Sequence, residues 1–306
     1  MPVAPLRASD ANASAQSNGV KAKANHTMSP GKFFKIYVLP PEHGGWFLLL
    51  GPFLFGALAA AQPNADLIVL FLFALASYIA RQPLTIFVKA LSGRRAKSDA
   101  RPARWALGAV GMIAALLLLV LILRGYAFLL WLGIPAGLVV AWQLWLVTQR
   151  EERQIGIELI GAGTLALSAP AAYWGSIGAM TPTGWWLWGL AWLYAASSIV
   201  YVYLRLTQRK DKERKEMREL LRDGRRTLLY AGTSVGLTVA LALLQFVPPF
   251  TPLPFTLALL HYLYGITHPC VGAKPLHIGA EQSLATSVFY LVLGIVFSNS
   301  RDLTGF

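Results

Sequence analysis

The sequence predicts an all-α integral membrane protein of nine transmembrane helices, arranged as two parallel four-helix pseudo-repeats plus a ninth helix. Three observations carry this expectation. Of the 306 residues, 56% are apolar and only 13% charged, which leaves too little polar surface to cover a soluble globule. The apolar residues fall into nine runs, each near the ~20 residues that a bilayer core demands. Most of the 27 Lys and Arg residues, which with 14 acids set a net charge of +13, collect in the tail and a few links between those runs. Such clustering marks cytoplasmic loops, whereas nucleic-acid binding calls for a basic face on a folded domain. No nucleic-acid partner is therefore expected.

Taken in order, residues 1–35 read as a tail ahead of a membrane domain at 36–306. Residues 1–30 are rich in Ala, Ser and Asn and hold one acid, Asp10, so they cannot bury a core and are expected to be disordered. Arg7 is the only arginine there, which argues against an organelle transit peptide. The first long apolar run starts near Trp46, too late for a secretory signal. The nine expected spans are 44–61, 66–90, 104–123, 126–147, 155–177, 184–206, 226–246, 252–268 and 281–299. Proline-bearing links such as "QPNAD" and "VPPFTP" separate several of them. The eighth is short and carries His261.

The charges then orient the chain. The link at about 92–104 holds Arg94, Arg95, Lys97, Arg101 and Arg104, and the link at about 207–226 is richer still. The links after spans 1, 5 and 7 hold no cation, and the one after span 3 holds Arg124 alone. Nine crossings from a cytoplasmic N-terminus place the rich links on the cytoplasmic face and Arg301, with the C-terminus, outside. Within the second basic link, Glu213, Glu216 and Glu219 interleave with Lys212, Lys215 and Arg218 beside Met217, Leu220 and Leu221. That spacing describes a short surface helix, either against anionic headgroups or simply solvated.

Three span entrances resemble one another. Span 1 opens with Glu42-His43-Gly44-Gly45, span 5 with Ile155-Gly156-Ile157-Glu158, and span 9 with Ile278-Gly279-Ala280-Glu281. Each acid is four spans from the next, an even number, so all three fall on the same rim. This is the basis of the pseudo-repeat. Spans 2 and 6, also four apart, end on that rim with Arg81 and Lys89, and with Tyr201, Tyr203 and Arg205. The repeat therefore predicts one cluster, with Glu42, His43, Glu158 and Glu281 facing Arg81, Lys89 and Arg205. Lys89 and Arg205 have the plain alternative of snorkelling to headgroups. Arg81 lies deeper in its apolar run, two residues before Pro83, and there a cation needs an anion, from the protein or from a ligand. Glu42 reads as its counter-ion or a ligand contact, His43 as a proton carrier, and Trp46 as an interface or stacking residue.

"EHGGW" followed by "FLLLGPFLFG", with "IGAEQSLATSVFYLVLG" near the end, resembles the YwiC-like family of bacterial membrane proteins. The likeness implies a multi-pass protein of the bacterial inner membrane and names no activity. A looser resemblance is to the UbiA-type intramembrane prenyltransferases. It implies a UbiA-like bundle with a cavity open to the cytoplasm. Those enzymes hold Mg²⁺ and a prenyl diphosphate on Asp-rich motifs at the ends of helices 2 and 6. Here those ends carry Arg81 with Lys89 and Tyr201 with Arg205, and the nearest acids, Asp99 and Asp211, stand in the links. No metal ligand carries over, and the rim is basic instead.

His261, His268, Cys270 and His277 fit no ligand spacing for zinc or haem, so no metal site is expected. The lone Cys270 cannot form an intramolecular disulfide. "WWLW" at 185–188 reads as an outer aromatic belt. The expected function is binding of a membrane lipid or isoprenoid with an anionic head in a cytoplasm-facing cavity. Group transfer would use Glu42 or His43 as base, and Arg81, Lys89, Tyr201, Arg205, Glu158, Glu281 and Trp46 would contact the ligand. A transporter of a small anion or lipid and a non-catalytic scaffold are the alternatives. The sequence specifies neither a cofactor nor an oligomeric state.

Overall fold

A computed structural model describes residues 29–40, 43–149, 154–211 and 215–304. The chain divides into two compact units, Met1–Ile36 and Tyr37–Phe306. In the first, the described part is Ser29 onward, with one helical turn at Pro30–Phe33. Of the tail expected to be disordered, residues 1–28 lie outside the described residues, and its described part forms that turn.

The second unit is all helix among the described residues. Its helices are α1 (His43–Ala60), α2 (Asp66–Leu91), α3 (Ala100–Leu123), α4 (Leu130–Gln149), α5 (Ile155–Ala166), α6 (Ser168–Ile177), α7 (Pro182–Gln208), α8 (Met217–Asp223), α9 (Arg225–Leu243), α10 (Pro252–Thr267) and α11 (Pro275–Thr304). All nine apolar runs are helical, with α5 and α6 sharing the fifth. Pro170 has no N–H to offer the carbonyl of Ala166, and the run breaks at Leu167 between them. Among the described residues seven helical segments are long and apolar enough to cross a membrane. The other two are shorter: α1 has 18 residues and α10 has 16, which at 1.5 Å per residue gives α10 a length of ~24 Å.

The ends of these helices follow from local chemistry. Pro182 and Pro252 begin α7 and α10 at positions where a missing N–H costs nothing. α6 stops at Gly178, whose φ of 76° places it in the left-handed region and lets its N–H close on Trp174 O at 2.8 Å.

The core lies where α1, α6, α7 and α11 meet, built from Phe55, Trp174, Leu190, Tyr194, Phe289 and Tyr290. α1 runs along α11 and α6, with Gly51 under the ring of Tyr290 and Gly294 against Leu58. Ser168 Oγ crosses from α6 to donate to Leu49 O at 2.9 Å. Elsewhere the apolar residues face outward. Trp105, Met112, Leu116 and Leu123 on α3, and Trp131, Ile134 and Leu138 on α4, are exposed. An exposed apolar surface this continuous is suited to lipid rather than water.

The links meet at two separate ends. At one end, Asn64 Nδ2 of the α1–α2 link donates to Gly175 O and Ser176 O at 3.0 and 3.1 Å, and Arg124 of the α3–α4 link pairs with Asp66. At the other, Arg94 of the α2–α3 link bonds Val147 O near the end of α4, and Gly272 N of the α10–α11 link donates to Arg209 O at 3.0 Å after α7. The link after the first run thus meets the end of the fifth and the link after the third, the link after the second run meets the end of the fourth, and the link after the eighth meets the end of the sixth. The basic clusters lie in the links after the second and sixth runs.

At the basic end Tyr37 Oη donates to Asp99 Oδ1 at 2.7 Å, while Arg95 Nε donates to Asp99 Oδ2 at 2.5 Å. The Arg95 guanidinium stands 5.9 Å above the Tyr37 ring. Burial, then the bond to Asp99, pushes the Tyr37 hydroxyl from 10.0 up to about 12. The fold thus favours the protonated phenol. Its contribution is complete below the ordinary tyrosine value and is lost as pH rises through about 12. Melting curves of wild type and Tyr37→Phe between pH 9 and about 12 are expected to converge at the alkaline end. Parallel curves would show that this contact contributes no pH dependence.

Candidate functional site

α7 supplies the most heavily engaged of the expected residues. Arg205, near its C-terminal end, is only 7% exposed. Its Nη1 donates to Gly265 O at 2.6 Å, His268 O at 2.8 Å and Gln208 Oε1 at 3.3 Å. Gln208 Nε2 adds a bond to Ile266 O at 3.3 Å. These carbonyls end α10, where the last turn has no intrahelical donors and the dipole attracts a cation. Arg205 therefore caps a neighbouring helix and does not reach out to headgroups. Cys270 Sγ in turn donates to Arg205 O at 3.3 Å.

Glu281, near the start of α11, approaches this group. Its Oε2 lies 3.8 Å from Arg205 Nη2, and its Oε1 lies 3.8 Å from His261 Nε2 on α10. Tyr201, one turn before Arg205, is buried and stacks on Tyr262 with ring centres 4.5 Å apart. Gly265 makes room for the Tyr201 hydroxyl, since a Cβ there would overlap it. Tyr201, Arg205 and Glu281 thus share one interface between α7, α10 and α11.

Glu158 lies elsewhere. It is exposed on α5 and accepts from Tyr203 Oη at 2.6 Å, so α7 sends its two rim tyrosines to different neighbours.

The entrance of the first apolar run faces α2. Gly45 sits against the Tyr78 hydroxyl, and the Trp46 ring meets Tyr78 edge-on at 5.1 Å. Trp46 is therefore half-buried between helices. Glu42 lies outside the described residues. His43 begins α1, and nothing is described of its side chain.

Arg81 follows Tyr78 by three residues and so shares its face of α2. It is half-buried, ten residues before the end of a helix long enough to cross a membrane. Thr85 Oγ1 donates to Arg81 O at 2.8 Å, and among the described residues the guanidinium has no ion pair. Lys89, two turns on, is half-buried with a partner of its own.

Of the link acids that could have served a metal, Asp99 is engaged by Tyr37 and Arg95, and Asp211 lies 2.9 Å from Lys215. Among the described residues no group of three His, Cys, Asp or Glu side chains gathers to hold a metal ion. Two open hollows, of about 280 and 120 Å³, are apolar and lie along α9. Neither is lined by Arg81, Arg205 or Glu281.

The sequence reading set His261 aside as a poor metal ligand and missed Tyr262, Gln282 and Ser198. The available signal was a lone histidine in a short apolar run, since an ionisable group there must be paired or used. The "WWLW" run also departs from a simple belt. Trp186 stacks on Phe246 at 5.2 Å, and Trp188 Nε1 donates to Gly163 O at 2.9 Å. Only Trp185 remains largely open, at 43% exposure.

Residues 39–173 match the family model described as YwiC-like protein, so this stretch of the chain is similar to that family. It covers α1 to most of α6, including Trp46, Arg81, Lys89 and Glu158. No curated protein and no solved structure matches the chain.

Proposed function

We propose that this multi-pass membrane protein crosses the bacterial inner membrane nine times and binds an amphipathic lipid or isoprenoid with an anionic head near its cytoplasmic rim. The packing supports the pseudo-repeat on which the crossing number rests. α2, the second run, packs on α3, α4 and α6 from the third, fourth and fifth. α7, the sixth run, packs on α9, α10 and α11 from the seventh, eighth and ninth. A shift of four runs carries the first set onto the second, although α7 packs as well on α5 and α6 of the fifth run. The charge in the links after the second and sixth runs supports a cytoplasmic N-terminus and an outer C-terminus. The UbiA-like arrangement and the group-transfer chemistry, with Glu42 or His43 as base, are the enzymatic form of this reading.

Arg81 carries the ligand proposal. A guanidinium beside apolar helices is costly without an anion, and the described residues offer it none. Tyr78, on the same face of α2, and Trp46 packed against Tyr78 would supply aromatic surface for the apolar part of a lipid. The test is thermal unfolding of detergent-purified protein with isoprenyl diphosphates, polyprenyl phosphates and anionic phospholipids, with and without Mg²⁺. A ligand at 100 times its Kd is expected to stabilise by about 2.7 kcal/mol, without need of metal. Arg81→Ala should remove that stabilisation while folding normally. A ligand shift that survives Arg81→Ala would move the site elsewhere.

Transport has its own supporting observation, the break at Leu167 inside the fifth run. Interrupted helices often lie at the binding sites of transporters. Substrate flux in liposomes separates that reading from a lipid-binding enzyme.

A further inference from the structure

Three buried polar atoms without a hydrogen-bond partner gather at the α7–α10–α11 interface, Tyr201 Oη, Arg205 Nε and His261 Nε2. Beside them, the Tyr262 hydroxyl interacts with Tyr194 and Gln282. Tyr201 is 2% and Arg205 7% exposed, so bulk water does not satisfy them. The rings are mutual neighbours: His261 lies 5.5 Å from Tyr201 and 5.8 Å from Tyr262. Unpaired polar atoms are strongly disfavoured between apolar helices, and buried polar gaps of this kind take up ordered water.

The spacing of the charged groups agrees. Both contacts of Glu281, to Arg205 and to His261, are 3.8 Å, beyond direct hydrogen bonding, so any water joining them must sit beside the gap. Glu281 is itself 45% exposed, so one end of the cluster is open. The polar groups also continue inward. On α7 they recur at Arg205, Tyr201, Ser198 and Tyr194, and on α11 at Gln282, Thr286 and Tyr290. Gln282 Nε2 donates to Ser198 Oγ at 2.7 Å, and Tyr194 Oη to Thr286 Oγ1 at 3.2 Å. From Arg205 to Tyr194 this polar seam is ~16 Å long, at 1.5 Å per residue.

We propose that this interface is a proton-binding site, in which His261 and Glu281 share one proton delivered by water held among Tyr201, Tyr262 and Gln282. The charged and titratable groups around the pair are Arg205 and Tyr201 from α7, Tyr262 from α10 and Cys270 from the following link. Arg205 is permanently positive and offsets Glu281. The net charge of the interface therefore changes by one when a hydronium at the open end gives its proton to His261 Nε2 and leaves as water. The site stands apart from the Arg81 ligand reading and survives its failure.

Infrared titration of the full chain in lipid nanodiscs tests this. The carboxylic acid C=O band that appears on acidification is assigned to Glu281 by its loss in Glu281→Gln. In His261→Gln its midpoint is expected to move from the wild-type value, because the two groups share the proton. Should His261→Gln fail to fold, the shape-conserving Tyr262→Phe removes one water anchor and is likewise expected to move the midpoint. A band that Glu281→Gln leaves in place, or a midpoint unmoved by the folded variant, overturns the proposal.

Discussion

Arg205→Met is expected to destabilise the protein by about 3 kcal/mol or more, the scale for removing one partner from a buried charged network. The side chain is 7% exposed, and a single nitrogen serves the carbonyls of Gly265 and His268 and the Oε1 of Gln208. Methionine fills similar space but donates nothing, so the end of α10 loses its cap inside an apolar bundle. Arg205→Lys should fall between, because an ammonium keeps the charge without the planar fork. Glu281→Gln gives the decisive comparison. Glu281 is 45% exposed and 3.8 Å away, so its loss should cost far less. Thermal unfolding in detergent across the three variants checks the order. If Glu281→Gln were as damaging as Arg205→Met, the ion pair, and not the carbonyl bonds, would be the anchor.

That comparison bears on how much a sequence can show of such a residue. Apolar run length and Pro/Gly punctuation are local, and they located all nine helical stretches, including the short α10. The link charges are local too. The partners of Arg205 are not local. Gly265 and His268 stand 60 and 63 residues away, and nothing near Arg205 distinguishes a helix cap from a headgroup contact. The same limit applies to Glu158, whose repeat position suggested a cation and which accepts from Tyr203 instead. Trp188 looked like a belt residue until its N–H met the Gly163 carbonyl of α5. The break at Leu167 was partly legible: Pro170 announces a lost hydrogen bond but does not say whether the helix bends or divides. Arg81 is the reverse case. Its depth in an apolar run was plain from the sequence, and the structure adds that no described carboxylate meets it.

The packing of α1 makes the other large prediction. Gly56 of α1 lies directly against the backbone of Ala169 on α6, so that a Cβ at Gly56 would overlap the Ala169 carbonyl. That obstacle is main chain and cannot rotate aside as a side chain can. Two residues further, Leu58 holds Gly294 of α11, and one residue earlier Phe55 is fully buried against Tyr290 and Phe297. α1 is thus fixed on both sides and cannot back away from α6 without opening the core. Gly56→Ala is therefore expected to destabilise by about 1–3 kcal/mol, despite the better helix propensity of alanine. Gly56→Leu should prevent recovery of folded protein. The control is Gly108→Ala on α3, where a Cβ meets nothing within 4 Å and the propensity gain stands alone. Gly108→Ala should melt no lower than wild type. If Gly56→Ala melted no lower either, the close approach of α1 to α6 would not hold this part of the bundle together, and the break at Leu167 would need a different support.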